Sequence, residues 1–161
     1  MNIHEYQGKA LLKGFGVAIQ EGIIADTPEQ AVEAAKELQK QTGTGWWVVK
    51  SQIHAGGRGK GKIVGTDQSG VALAKSLDAV KSISTTILGN NLVTLQTSAQ
   101  GKKVSKVLIA QDVYYPGESP TKEFYMSVLL DRAKGRNAIV YSTEGGMDIE
   151  TVAHNTPHLI F

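Results

Sequence analysis

A loop rich in glycine and basic residues constrains the fold and the chemistry of this chain more than any other segment. Residues 50–62 contain four basic residues, no acidic residue and four glycines. Glycine lets backbone N–H groups come close to a ligand, and lysine or arginine supplies positive charge for phosphate oxygens. We therefore expect a glycine-rich flap between two antiparallel strands, folded over the phosphates of a nucleotide. A mobile surface hairpin tip is the alternative.

Two familiar phosphate-binding loops do not fit this segment. Residues 56–62 match the G-x-x-x-x-G-K part of a Walker A motif, but Ile63 has no hydroxyl for magnesium and we expect a strand to follow. The dinucleotide fingerprint fails because no third glycine falls at the required spacing. Lys50 ends the strand predicted before the flap, where it either presents its ammonium group to a phosphate or is a solvated lysine.

The composition of the chain excludes several classes of protein. There is no cysteine, which removes disulfides, thiolate metal sites and cysteine nucleophiles. Hydrophobic residues make up 41% and charged residues 20%, which favours a folded core over disorder. No apolar run approaches the roughly 20 residues of a membrane helix, so we expect no membrane partner. The net charge of +2 and the absence of aromatic residues among the flap cations argue against a nucleic-acid partner.

Apolar spacing and capping residues predict an α+β fold. The predicted strands are residues 17–25, 46–53, 63–66, 92–97 and 104–113, the last two joined by a turn at residues 100–101, and a hairpin of residues 124–130 and 138–141. The predicted helices are residues 3–14, a second helix from the Thr27 cap to Gly43, a third from the Ser69 cap to about Ser84 with Leu73 on its inner face, and a short last helix capped by Asp148.

Other polar residues give weaker signals. Glu123 precedes an apolar strand, where it is either a surface residue or a ligand for a ribose or a metal. Glu144 and Asp148 together suggest a metal site, although a role as helix cap is enough to explain Asp148. The four histidines, His4, His54, His154 and His158, show no metal-ligand spacing. No set of nucleophile, base and orienting residue can be assembled, so we predict no catalytic residue in this chain.

Four sequence blocks occur in order along the chain: residues 2–7, 47–50, 54–60 and 142–146. Together with residues 156–158 they resemble the β subunit of succinyl-CoA synthetase, over the whole of this chain but only the first part of that subunit. The resemblance implies a truncated ATP-grasp fold, in which two α+β lobes with mainly antiparallel sheets hold a nucleotide. The apolar ending of residues 159–161 independently predicts a fragment of a longer chain.

The resemblance also implies how the chain divides and what holds the phosphates. Residues 1–22 plus 104–161 would form the larger, incomplete lobe, and residues 23–103 the smaller lobe with the flap. Lys50, together with the flap residues Gly57, Arg58 and Gly59, would contact the nucleotide phosphates. Glu123 would match the family's nucleotide-site glutamate.

Residues near the nucleotide base depart from the family pattern. Many members have a glutamate at the end of the lobe-connecting strand, where this chain has Ala110 followed by Gln111. The resemblance implies base contacts by Ala110 and Val113. Gln20 stands where ATP and GTP users tend to differ, and a glutamine there is more similar to the GTP-preferring type, because its amide can pair with guanine.

The resemblance implies a ligase that interconverts succinyl-CoA, a nucleoside diphosphate and phosphate with succinate, coenzyme A and a nucleoside triphosphate. The family works in the tricarboxylic acid cycle and uses Mg²⁺ with ATP/ADP or GTP/GDP. Its phosphohistidine lies on a partner α subunit, and its metal ligands would lie beyond Phe161, so this chain alone should be inactive. We expect the bacterial cytoplasm, or the mitochondrial matrix in a eukaryote. The alternatives are a malate-CoA ligase β subunit and a non-catalytic nucleotide-binding or interaction module.

Overall fold

The computed structural model describes residues 3–117, 122–146 and 149–161, and the chain forms two compact units, Met1–Glu118 and Ser119–Phe161. The first unit contains α1 (Glu5–Gly14), β1 (Gly22–Ala25), α2 (Pro28–Thr42), β2 (Trp47–Ser51), β3 (Lys62–Ile63), β4 (Val71–Ala74), α3 (Leu77–Ile87), β5 (Asn91–Val93), β6 (Lys102–Lys103) and β7 (Val107–Gln111). The second contains β8 (Tyr125–Asp131), β9 (Arg136–Ser142), α4 (Ile149–Asn155) and a 3-10 helix (Pro157–Leu159).

A four-stranded antiparallel sheet forms the framework of the first unit, with the strand order β1-β7-β2-β4. Helices α2 and α3 cover one face of this sheet. Since side chains alternate along a strand, Trp47 and Val49 of β2 are buried towards these helices. The indole N–H of Trp47 donates to the backbone oxygen of Ala35 at 2.9 Å, which ties β2 to α2.

Helix α2 confirms the boundaries predicted from its caps. The Thr27 hydroxyl accepts a hydrogen bond from the Gln30 N–H at 3.2 Å, and Gly43 ends the helix with a φ of 74°. The buried face consists of Ala31, Ala34, Ala35 and Leu38. The small alanine side chains let the helix lie close to the sheet.

The predicted third helix begins later than expected. Ser69 does not cap it, because the next residues form β4, in which Val71 pairs with Lys50 and Leu73 with Val48. The helix starts at Leu77, and the Ser76 hydroxyl accepts from the Ala79 N–H at 3.1 Å. Pairing with β2 therefore overrides the helical spacing of the apolar residues that predicted an earlier start.

The flap does not join two paired strands, contrary to the prediction. β2 lies in the four-stranded sheet, whereas β3 pairs with β5 in a separate three-stranded sheet of order β3-β5-β6. The predicted strand of residues 104–113 is shortened to β7, which joins the larger sheet, and the separate strand β6 precedes it and pairs with β5. The predicted first strand is shortened to β1.

The boundary between the compact units does not coincide with that between the predicted lobes. β7 pairs with β1 on one side and β2 on the other, so residues 107–111 belong with the sheet that carries the flap. The assignment of either unit to a lobe of a complete ATP-grasp fold stays a prediction.

The second unit confirms the predicted hairpin. β8 and β9 pair antiparallel, from Tyr125 opposite Ser142 to Asp131 opposite Arg136. The backbone of Phe161 forms two hydrogen bonds with that of Tyr141, each 3.0 Å long. α4 agrees with the predicted last helix, but its proposed cap, Asp148, lies outside the described residues. Among the residues that the structure describes, no helix is long and apolar enough to cross a membrane.

The revised start of α3 gives a stability prediction. Ser76→Ala removes the hydroxyl that caps the helix and should lower the free energy of unfolding by about 1 kcal/mol. Chemical denaturation measures this change. Ser82→Ala, at an exposed position inside α3, is the control and should cost nothing, because alanine is the better helix former. Equal losses in the two variants would contradict the cap assignment.

Candidate nucleotide-phosphate site

Lys50 lies on the face of β2 opposite to α2 and α3, and helix α1 lies against it. Its ammonium group donates to Glu5 Oε1 at 2.6 Å, and only 21% of the side chain is exposed. Neighbouring strands fix the position of Lys50, since it pairs with Val71 on β4 and Leu108 on β7. Strand pairing on both sides therefore holds the backbone of Lys50 in place.

The glycine-rich flap, residues 52–61, turns sharply at its centre. The N–H groups of Lys60 and Gly61 both donate to the Gly57 oxygen, at 3.1 and 2.9 Å. Gly57 has a φ of 71°, a conformation that favours glycine. The turn directs Arg58 back to the sheet, where its guanidinium donates to the Ser51 oxygen at 2.6 Å and to Glu5 Oε2 at 2.9 Å.

Side chains from outside the flap fix its backbone. Gln96 Oε1 accepts from the Gly56 N–H at 2.7 Å, and the Ser69 hydroxyl donates to the Gly59 oxygen at 2.6 Å. Lys102 Nζ donates to the His54 oxygen at 2.7 Å. The flap is thus anchored at several points by side chains of other segments. Gln96 was not among the predicted residues, since nothing in the sequence brings it to Gly56.

Glu5 joins the two cations and is the main residue that the sequence analysis missed. Its carboxylate bonds Lys50 through one oxygen and Arg58 through the other, and Lys9 Nζ lies 3.7 Å from Oε1. Burial raises the pKa of Glu5, but Lys50 and Arg58 outweigh burial and hold that pKa below its ordinary value. Glu5 lies in the first of the four sequence blocks that carry the family resemblance, residues 2–7, yet an acidic residue in a first helical turn is too common to signal this role.

The beginning of α1 also packs against the flap through two histidines. The rings of His4 and His54 stack with centroids 4.0 Å apart, and Nδ1 of His4 is buried without a hydrogen-bond partner. Burial is the largest cause that lowers the pKa of His4, followed by the charges of His54, Arg58 and Lys106. Neutral His4 is therefore the form that fits this packing.

A polar cleft of about 360 Å³ lies between α1 and the flap. Glu5, His54, Arg58 and Gln96 contribute to its walls. A larger apolar groove of about 640 Å³ lies between β1 and α2, but none of the predicted site residues lines it. The chemistry of the polar cleft fits an anionic ligand, whereas the apolar groove offers no donor arrangement for phosphate.

Gln20 has its amide already engaged by other residues. Its Nε2 donates to the Gln111 oxygen at 2.6 Å, and its Oε1 accepts from Lys9 at 2.9 Å. Ala110 is completely buried within β7, and Val113, after that strand, is 46% exposed. Of these residues, Val113 has the most side-chain surface available for a base.

Glu123 lies in the second compact unit, just before β8. Its backbone oxygen accepts from the Gly145 N–H at 3.1 Å. A Cβ on Gly146 would lie 2.5 Å from Glu123 Oε2, so the two glycines let the chain pass close to this residue. The structure thus groups Lys50 with the flap residues in one unit and Glu123 with the 145–146 glycines in the other.

The Glu5 bridge predicts a pH-dependent stability difference. Glu5→Gln leaves Lys50 and Arg58 without their counter-charge and should lower the free energy of unfolding by about 1–3 kcal/mol near neutral pH. Because the folded state lowers the pKa of Glu5, its contribution is present above the ordinary value of 4.5 and is lost as the pH falls through the lower folded value. Urea unfolding at a series of pH values should show the two curves converging below pH 4.5. A difference that does not change with pH would contradict the bridge.

The stacked histidines predict a second, separate pH effect. Since folding lowers the pKa of His4, the unfolded chain takes up the proton first, and stability should fall as the pH drops below 6.5. His4→Phe keeps an aromatic ring but cannot be protonated, so its melting temperature should fall less between about pH 7.5 and pH 5.5. His158→Phe, in the other unit, is the control. Identical pH profiles for His4→Phe and the original protein would contradict this assignment.

Comparisons with known proteins show the family to which the chain belongs. The family model described as an ATP-grasp domain matches residues 2–161. The ADP-forming succinate–CoA ligase subunit beta of Flavobacterium psychrophilum is 66% identical over 99% of this chain, and that of Christiangramia forsetii is 63% identical over 100%. The chain spans only 38% and 39% of the lengths of these two relatives.

A solved structure gives support for the fold alone. It is the dinucleotide-forming acetyl-coenzyme A synthetase 1 of Ca. Korarchaeum cryptofilum, in complex with coenzyme A. The match has a TM-score of 0.54 at 17% sequence identity and covers 89% of this chain and 53% of that chain. The chain belongs to the ATP-grasp family and is homologous to the N-terminal ATP-grasp portion of the β subunits of ADP-forming succinate–CoA ligases.

Proposed function

We propose that this chain is the nucleotide-binding part of a succinate–CoA ligase β subunit, and that Lys50 and the flap bind the nucleotide phosphates. One observation carries the proposal. Lys50 and Arg58, from a strand and from the glycine-rich flap, converge on the two oxygens of a single carboxylate at 2.6 and 2.9 Å. Two cations placed this close by a sheet and an anchored turn form a site that suits the oxygens of a phosphate group.

The flap contributes backbone donors as well as charge. Gly57, Arg58 and Gly59 form its centre, where the absence of a side chain at two of three positions lets a phosphate approach the N–H groups. The anchors at Gln96 and Ser69 hold this turn in place before a ligand arrives. A preformed turn loses less conformational entropy when it binds.

We propose adenine rather than guanine nucleotides as the ligand. The relatives named above are ADP-forming. In addition, Gln20 would have to give up its hydrogen bonds to Gln111 and Lys9 before its amide could pair with guanine, although its residue type favours the GTP-using members. Gln20 would then orient the Gln111 carbonyl, and Val113 and Ala110 would lie near the base.

The full reaction rests on the same homology. We propose that the complete enzyme joins succinate and coenzyme A as ADP and phosphate are formed from ATP, or runs in reverse, and that an α subunit supplies the phosphohistidine. We propose that residues of this chain, Glu123 among them, bind and orient the nucleotide, and we expect the chain alone to be inactive. The bacterial origin of the relatives supports a cytoplasmic location.

Magnesium accompanies nucleotides in this family and would neutralise phosphate charge when bound. Within residues 3–117, 122–146 and 149–161, no three histidine or acidic side chains come together to hold a metal ion. The contribution we assign to this chain's described residues is the binding of phosphate oxygens by Lys50, Arg58 and the flap.

Calorimetric titration of the protein with ADP tests this function. Lys50→Ala and Arg58→Ala should each weaken binding by about 10-fold to 100-fold, because each removes a charge-assisted hydrogen bond to phosphate. Lys36→Ala, which removes a lysine that pairs with Glu33 on the outside of α2, is the matched control and should bind ADP normally. Unchanged affinity in both site variants, with their fold verified by circular dichroism, would contradict the phosphate-site assignment.

A further inference from the structure

Glu5 occupies the position that a phosphate would need. One oxygen of its carboxylate accepts a hydrogen bond from the Lys50 ammonium group and the other accepts one from the Arg58 guanidinium. Only 17% of the Glu5 side chain is exposed. Lys50 and Arg58 are the two cations to which we assign phosphate binding. A carboxylate and a phosphate group both accept hydrogen bonds from lysine and arginine, so the two groups compete for these donors.

We propose that Glu5 is an internal anion, which holds Lys50 and Arg58 in the ligand-free protein and is displaced from them when nucleotide phosphates bind. The proposal rests on the proposed function, because it needs the phosphates to bind at Lys50 and the flap. It adds a residue that sets the affinity of the site. It also explains how two cations remain only 21% exposed before a ligand arrives.

Electrostatics favours displacement over sharing. A phosphate bound to Lys50 and Arg58 would place its negative charge within a few ångströms of the Glu5 carboxylate in a poorly solvated place, where like charges repel strongly. Lysine and arginine have spare donors, but the two Glu5 oxygens already lie between the cations at 2.6 and 2.9 Å. A phosphate therefore reaches both cations only when Glu5 moves aside.

The structure provides a second partner for the displaced carboxylate. Lys9 lies one turn further along α1, with its Nζ 3.7 Å from Glu5 Oε1, the spacing at which glutamate and lysine pair on a helix. Lys9 currently also donates to the side-chain and backbone oxygens of Gln20. A change of side-chain rotamer is enough to move Glu5 from the two phosphate-binding cations towards Lys9.

Helix α1 can accommodate such a change because it is weakly held. None of its residues is buried. Besides the Glu5–Arg58 ion pair, its contacts with the flap region are the stacked His4 and His54 rings and a 3.4 Å hydrogen bond from the Tyr6 N–H to Gln52. Once the Glu5 ion pairs are broken, few contacts hold the start of this helix against the flap, so it can shift at small energetic cost.

The test compares ADP and adenosine binding to the protein and to Glu5→Gln, by calorimetry. The variant keeps the shape of the side chain but removes the competing charge. It should bind ADP about 3-fold to 30-fold more tightly, as expected when two partly exposed ion pairs no longer have to be broken. Adenosine, which has no phosphate, should bind both proteins equally.

Glu21→Gln is the matched control. It removes the same charge from a carboxylate that pairs with Lys13, also on α1, at 2.7 Å. Its ADP affinity should stay within about twofold of that of the original protein, since a solvent-screened charge that pairs with neither Lys50 nor Arg58 has little effect on the phosphate site. If Glu21→Gln tightened ADP binding as much as Glu5→Gln, general electrostatics would explain the gain and the proposal would be overturned.

The outcomes separate this inference from the proposed function. ADP binding that depends on Lys50, together with weaker or equal binding by Glu5→Gln, would overturn the internal-anion role and leave the function standing. Failure of the protein and of Glu5→Gln to bind ADP would overturn both. Tighter binding by Glu5→Gln supports both. If Glu5→Gln does not fold, Glu5→Asp replaces it: the shorter carboxylate cannot span both cations, so tighter ADP binding supports the proposal and weaker or equal binding overturns it.

Discussion

The carboxylate of Glu5 connects three parts of the chain that are distant in sequence. It lies at the start of α1, Lys50 lies on β2 and Arg58 lies in the flap, and the two ion pairs are 2.6 and 2.9 Å long. Without this counter-charge, two cations would face each other at low exposure, at considerable cost in stability. The position of α1, the course of the flap and the charge of the cleft all depend on this contact.

The rest of the first unit presents this cluster in a defined geometry. Antiparallel pairing on both sides fixes Lys50, while α2 and α3 bury the opposite face of the sheet. The small three-stranded sheet supplies the framework beneath the flap: a Cβ on Gly61 would lie 2.6 Å from the Val93 oxygen. Rigid strands thus hold the charges, and glycine allows the flap to lie against them, which is the division of roles expected of a phosphate site.

Features governed by local chemistry could be predicted from the sequence. The Thr27 cap, the Gly43 stop and the β8–β9 hairpin depend on residues close together in the chain, and the structure confirms them. Features governed by distant pairing were mistaken: Leu73 has helical spacing but lies on a strand, because β2 pairs with it. Lys50 and Arg58 were identified from motifs, whereas their partner Glu5 could not be, since only the fold brings it to them.

A crystal structure of the protein with bound ADP would show directly whether phosphate displaces Glu5 from Lys50 and Arg58. The phosphate-site assignment predicts phosphate oxygens within hydrogen-bond distance of Lys50 Nζ, the Arg58 guanidinium and the flap N–H groups, with the Glu5 carboxylate moved away from both cations. ADP bound elsewhere, with Glu5 still bridging Lys50 and Arg58 at 2.6 and 2.9 Å, would contradict it.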